Sequence, residues 1–218
     1  MIRPEAVLFD CDGVVVDSEA PTLALFVEEL AAHGLPLTVE AFEADYLGQT
    51  VEMVARQAMA AGARLPEDWV AHFYGRMNAM MRAGVPLVAG VLGVLDRLDA
   101  AGVPFAMGSN GSLAKMQITL GQHGIEGRFR AVLSGQALGR PKPAPEVYLA
   151  AARACGVAPE ACVVIEDSAQ GARAGLAAGA RVLGFAAHGP ETPTARSLAA
   201  LGVPLFHRME ALPDLLGL

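Results

Sequence analysis

From residue 86 onward the chain repeats one pattern: a short apolar run, a polar or glycine-rich break, then a helix-length segment closed by glycine. Residues 91–101 read as a helix ended by Gly102. The apolar run 103–107 leads into Gly108-Ser109-Asn110-Gly111, and residues 113–123 follow as a helix ended by Gly124. Residues 131–133 lead into Ser134-Gly135, and 145–155 form the next helix, ended by Gly156. Residues 162–165 run into Glu166-Asp167-Ser168, followed by a helix over 169–178 and Gly179. A strand over 181–185, a short edge strand at 205–206 and a terminal helix over 209–216 complete the pattern. Continuous apolar runs of this length predict strands buried on both faces. Strands alternating with helices predict a parallel sheet with helices on both sides, an α/β, Rossmann-like core. Ligands of such sheets bind beyond the carboxyl ends of the strands, where these polar clusters fall.

One more strand precedes the repeat. Ala6-Val7-Leu8-Phe9 is short and wholly apolar, and it runs straight into Asp10-Cys11-Asp12-Gly13. Side chains two apart on extended backbone point the same way, so Asp10 and Asp12 project together from the strand's end. Two carboxylates about 4 Å apart repel by roughly 4 kcal/mol at an effective dielectric near 20. A shared proton, a cationic side chain or a metal ion has to offset that. Turn-forming aspartates at a strand end are the ordinary alternative. Three independent strands with polar ends at one sheet edge outweigh it.

Between these parts the pattern is different. A helix opens near Pro21, with Asp17 or Ser18 as its cap, and runs to His33 before Gly34. Helix starts recur at Thr38-Val39-Glu40-Ala41 and Thr50-Val51-Glu52-Met53, and a third helix spans 67–82. Trp69, Phe73, Tyr74, Met77, Met80 and Met81 form a loose helical stripe that reads as bundle core. Residues 17–85 are expected to be an all-helical insertion, leaving 1–16 and 86–218 as the α/β core.

The 218 residues suit one large domain or a domain with an insertion. No apolar run is long enough for a membrane span. The start of the chain shows no export signal, which points to the cytoplasm. A net charge of −7 disfavours nucleic acid. Cys11, Cys155 and Cys162 are few and unpatterned, as in a reducing compartment, and read as apolar filler. The five histidines fall at helix ends and late loops and are assigned no chemistry. The sequence leaves the oligomeric state open, and a monomer is compatible with it. Only Lys115 and Lys142 are lysines, against fourteen arginines.

Ser109 lies in a small-residue turn before a helix, which suits either an anion or a plain serine cap. Lys142 is held in Arg140-Pro141-Lys142-Pro143-Ala144-Pro145, where three prolines fix a cation at low entropic cost. Glu166-Asp167 offers carboxylates that can join Asp10 around a hard cation. An oxygen-only set implies Mg²⁺.

Asp10-Cys11-Asp12-Gly13, Ser109, Lys142 and Glu166-Asp167 resemble, in order, the four motifs of the haloacid dehalogenase-like hydrolase superfamily. The likeness spans the whole chain and is strongest toward its β-phosphoglucomutase-like and 6-phosphogluconate phosphatase-like members. The helical insertion resembles that superfamily's small cap domain. The resemblance implies Asp10 as nucleophile forming an aspartyl-phosphate, and Asp12 as general acid and base. It implies Ser109, Asn110 and Lys142 around the phosphoryl group. It implies Mg²⁺ held by Asp10, the Asp12 carbonyl, Glu166 and Asp167. Dehalogenating members lack the second aspartate, so Asp12 argues for phosphoryl chemistry. Mutases of the group carry a histidine where Thr22 stands, and an arginine where this chain has Gly48-Gln49-Thr50-Val51. A phosphatase of a small phosphorylated metabolite is therefore expected, with a sugar phosphate such as 6-phosphogluconate the best match. A phosphosugar mutase and a non-catalytic phosphosugar-binding regulator are the alternatives. Gln49, Arg56, Arg76 and Arg82 are candidate specificity residues in the cap, although solvated or helix-pairing roles compete for each.

Overall fold

The computed structural model describes residues 3–46 and 49–218. The chain divides into two compact units, Met1–Asp17 with Pro86–Leu218, and Ser18–Val85. In the first unit six strands form one parallel sheet: β1 (Ala6–Phe9), β2 (Phe105–Ser109), β3 (Val132–Ser134), β4 (Cys162–Glu166), β5 (Arg181–Phe185) and β6 (Leu205–Phe206). Their order is β3-β2-β1-β4-β5-β6. The chain winds outward from β1 in one direction and then from β4 in the other. The β1/β4 boundary is thus a switch point, where open α/β sheets present a crevice.

Register explains why the polar ends converge. Phe9 pairs with Met107 on one side and Ile165 on the other. Asp10 therefore leaves the sheet one step past Phe9, between Gly108 and Glu166, and its N–H still donates to the Ile165 carbonyl at 3.0 Å. Ser109 pairs with Ser134 on the outer side.

Helices α5 (Val91–Ala100), α6 (Leu113–Gln122), α7 (Glu146–Cys155), α8 (Ala169–Ala177), α9 (Pro193–Ala199) and α10 (Leu212–Leu216) accompany the sheet. Ala6 and Leu8 belong to a core with Val147, Tyr148, Ala151 and Ala172. Phe9 meets Phe105 and Phe129 edge to face, with ring centroids 6.2 and 6.4 Å away. Both aspects of β1 are thus buried, as its unbroken apolar run requires. Each large side chain so buried contributes about 1.5–3 kcal/mol.

Two strands lie further along the chain than their apolar runs. The run 103–107 becomes Phe105–Ser109, because Gly108 and Ser109 stay in the ladder opposite Leu133 and Ser134. Likewise 131–133 becomes Val132–Ser134. Apolar character marks burial, whereas the ladder continues for as long as a partner strand offers backbone groups. The terminal stretch starts as a 3₁₀ turn, Met209–Ala211, before α10.

The second unit contains α1 (Glu19–Ala32), α2 (Val39–Tyr46), α3 (Val51–Ala60) and α4 (Trp69–Ala83). Phe26 stacks on Phe42 and Phe73, Phe42 on Tyr46, and Trp69 tilts against Phe73. Of the expected stripe, Trp69, Phe73 and Met81 are buried, and Tyr74 faces solvent. The Tyr74 hydroxyl donates to Glu52 at 3.3 Å. No helix among the described residues is long and apolar enough to cross a membrane.

Candidate active site

The site begins where β1 stops. Gly13 has a positive φ of 75°, and a β-carbon there would lie 2.0 Å from an Asp167 carboxylate oxygen. Glycine thus serves both the turn and the close approach. After it the chain folds back: Gly13 N–H donates to the Val16 carbonyl at 2.9 Å, and Val15 and Val16 donate to Cys11. This tight loop fixes the directions of Asp10 and Asp12.

Asp10 is buried, and the Lys142 ammonium donates to its Oδ1 at 2.5 Å. The same ammonium donates to Glu166 Oε1 at 2.5 Å and lies 4.7 Å from the centre of the Tyr148 ring. Glu166 is 0 % exposed. Its Oε1 also accepts from the Tyr148 hydroxyl at 2.7 Å. Its Oε2 accepts from the backbone N–H and hydroxyl of Ser168 at 3.1 and 2.9 Å. Both oxygens of this carboxylate are therefore engaged by protein donors, which makes a buried charge tolerable. A β-carbon at Gly171 would lie 1.6 Å from Glu166 Oε1, so the first turn of α8 must be bare there.

The Ser109 loop is held to the Lys142 loop. Ser109 Oγ accepts from the Gly111 N–H at 2.9 Å. Asn110 makes this link with its side chain: Oδ1 accepts from the Lys142 N–H at 2.7 Å, and Nδ2 donates to the Lys142 carbonyl at 3.2 Å. Ser134 Oγ donates to the Gly111 carbonyl at 2.7 Å. Asp12 Oδ1 accepts from Lys115 Nζ at 2.7 Å.

Burial pushes the Asp10 carboxyl up to about 7, with the charges of Glu166 and Asp12 adding to the rise and Lys142 opposing it. Burial pulls Lys142 the other way, but Asp10 and Glu166 outweigh it and hold the ammonium above the usual lysine range. Oxygens of Asp10, Glu166 and Asp167 lie within 4.8 Å of one another. Three carboxylates thus lie together, two of them on one ammonium, a setting that suits a divalent cation. The donors are all oxygen, so the residues fit Mg²⁺ better than a softer metal.

The comparisons with known proteins agree with this architecture. A model of haloacid dehalogenase-like hydrolases matches residues 4–179. The chain belongs to that family. This haloacid dehalogenase-like hydrolase is 30% identical over 218 residues to the 6-phosphogluconate phosphatase of Escherichia coli K12, spanning 99% of this chain and 96% of the relative. Hexitol phosphatase A of the same strain is 32% identical over 187 residues, 84% of this chain and 83% of the relative. Among solved structures, a family hydrolase from Deinococcus radiodurans with bound phosphate and sodium superposes with a TM-score of 0.85. It is 35% identical, and the match covers 100% of this chain and 96% of that one.

In this hydrolase the structure brings together Asp10, Asp12, Ser109, Asn110, Lys142, Glu166 and Asp167 at one sheet edge. The other candidates lie in the helical unit. Arg76 is committed there to Glu28, at 3.0 Å, and to Glu29. Gln49 Nε2 donates to the Asp45 carbonyl and to Gln57 Oε1. Arg56 and Arg82 are exposed, and Gly48 lies outside the described residues. Thr22 Oγ1 donates to the Ser18 carbonyl at 2.7 Å, a bond within its own helix. Tyr148 was not legible as a site residue, since it sits among the apolar positions of α7. The signal was its hydroxyl, which needs a partner once buried. In the sequence Ser134 reads only as the residue that follows a strand.

Proposed function

We propose that the protein is a Mg²⁺-dependent phosphatase of small phosphorylated metabolites, working in the cytoplasm through an aspartyl-phosphate on Asp10. The observation that carries this reading is the shared ammonium: Lys142 bonds both Asp10 and Glu166 at 2.5 Å, beside Asp167. An anionic nucleophile meets an anionic phosphate only if fixed positive charge offsets the repulsion. Phosphoryl transfer asks for little beyond positioning and charge neutralisation. Asp10, Asp167 and the Asp12 carbonyl would hold Mg²⁺, with Glu166 completing the carboxylate cluster. When bound, the ion supplies charge neutralisation at the nucleophile and the phosphoryl oxygens.

In the proposed cycle an Asp10 oxygen attacks phosphorus, and the bond to the leaving oxygen breaks. Asp12 gives that oxygen a proton. Water then attacks the phosphoryl group and gives its proton to Asp12. The Asp10–phosphorus bond breaks, and inorganic phosphate leaves. Ser109 and the adjacent backbone N–H of Asn110 receive the phosphoryl oxygens at the start of α6. The Asn110 side chain holds the Lys142 backbone, so one loop steadies the other. The helical unit acts as a cap that sets substrate identity. The named phosphatase relatives support a sugar phosphate of the 6-phosphogluconate kind as the substrate. A mutase finds less support, since Thr22 stands where a histidine is expected and its hydroxyl is spent on its own helix.

The test is phosphate release from a panel of sugar phosphates, with Mg²⁺ and with chelator, including 6-phosphogluconate and β-glucose 1-phosphate. Metal-dependent release is expected, strongest on a sugar phosphate. Conversion of β-glucose 1-phosphate to glucose 6-phosphate without release would favour the mutase. No turnover of any member would favour the binding-only alternative.

A further inference from the structure

We propose that Lys115 is a positioning residue for Asp12, a role that rests on the phosphatase reading and adds a member to its machinery. The chain has two lysines. Lys142 is bonded to Asp10, and Lys115 is bonded to Asp12 at 2.7 Å across 103 residues of sequence. Each aspartate of the Asp10-Cys11-Asp12 pair thus has its own ammonium.

The place of Lys115 in its helix makes an incidental pairing a poor explanation. Ser112 caps α6, and its Oγ accepts from the Lys115 N–H at 3.2 Å. Lys115 is therefore in the first turn, where the helix dipole disfavours a cation. A lysine at such a position works against its own helix unless an anion offsets it, and Asp12 is that anion. Departures from local preference of this kind gather at functional sites. The side chains are 16 % and 33 % exposed, so the pair is only partly open to solvent.

Its geometry suits proton transfer at the leaving oxygen. A point one β-carbon out from Gly111 is 3.6 Å from Asp12 Oδ2, 3.3 Å from Ser109 Oγ and 3.9 Å from Lys115 Cδ. Holding Oδ1 on Lys115 therefore turns Oδ2 toward the Ser109–Gly111 loop. In the first half-reaction the Asp10–phosphorus bond forms, the phosphorus–oxygen bond to the leaving group breaks, and the leaving oxygen takes the Asp12 proton. Lys115 keeps all its protons and only fixes where the Asp12 carboxyl stands.

Leaving-group dependence separates this role from phosphate binding. An alkyl leaving oxygen needs a proton, whereas p-nitrophenolate departs without one. Single-turnover release is measured for a turned-over sugar phosphate and for p-nitrophenyl phosphate, in the wild type, Lys115→Met and Lys115→Arg. Lys115→Met is expected to slow sugar release by roughly 10–100-fold and p-nitrophenol release by no more than about threefold, with Lys115→Arg recovering most of the loss. Equal losses on both substrates, or none on either, would overturn the role and leave the phosphatase reading intact. A wild type that releases neither leaving group would remove both.

Discussion

Each unit of this protein buries a carboxylate, and the two burials are balanced differently. In the helical unit Glu29 accepts from Trp69 Nε1 at 3.1 Å and pairs with Arg76, with His72 3.9 Å away. Buried Glu29 and exposed Glu28 share one guanidinium that reaches in from a partly exposed position, with His33 also 3.9 Å from Glu29, and the arrangement ties α1 to α4. In the α/β unit Asp10 and Glu166 share one buried ammonium, and an Asp167 oxygen lies within 4.8 Å of theirs. Asp10, Glu166 and their cation are buried, where water screens little. A fold gains little in stability from charges buried together in this way, so the contrast separates a buried charge kept for packing from a group of charges kept for chemistry.

The largest effect that would sharpen this contrast is at Asp10. Asp10→Asn is expected to lower turnover by roughly 10⁴-fold or more while the fold persists. It is also expected to stabilise the metal-free protein. Burial raises Asp10 from its ordinary 3.8 to about 7. Between those values the folded protein holds a proton that the unfolded chain releases, so stability falls as pH rises through that window. Asparagine carries no such charge. Thermal melts in chelator should show a small difference near pH 4, an increasing advantage for Asp10→Asn up to about pH 7, and a plateau above. A flat difference across that range would mean that Asp10 is no charge burden.

Removing the ammonium tests the other side. Lys142→Met leaves Glu166 buried without a counter-charge and should cost about 3–5 kcal/mol in urea denaturation. Arg76→Met should cost less, about 1–3 kcal/mol, because a partly exposed guanidinium is screened. It should leave KM unchanged. An Arg76→Met variant with full stability and a raised KM would make Arg76 a substrate contact and break the comparison. Saturating Mg²⁺, at about 100 times its Kd, should stabilise the wild type by roughly 2.7 kcal/mol. Melting curves should show a smaller gain in Asp10→Asn. The smallest effect is at Tyr148: Tyr148→Phe removes one donor from Glu166 and should cost about 1–2 kcal/mol, read by denaturation.

What could be read from the sequence follows from how local each signal is. The strand ends that carry Asp10, Ser109 and Glu166-Asp167 were legible because burial, turn residues and carboxylates sit next to one another in the chain. The order of the strands was not, and neither was the step by which Phe9 meets both Met107 and Ile165. Those depend on which apolar runs choose one another. The same holds for side-chain pairs. Lys142 declared itself through its prolines, but its bond to Glu166 spans 24 residues, and that of Lys115 to Asp12 spans 103. Arg76 read as a specificity candidate because a basic residue on a helix looks alike whether it faces a substrate or, as here, Glu28 and Glu29.

Gly13 and Gly171 take no part in any proton or phosphoryl transfer, yet each occupies space a carboxylate needs, Asp167 in one case and Glu166 in the other. A single methyl group at either position would displace a charge from its seat. The tolerance of this protein to mutation is therefore not ranked by chemistry. Two positions without functional groups should be as intolerant as the acids themselves, and a chain that drifted at either would lose its site through crowding while every reactive side chain remained in place.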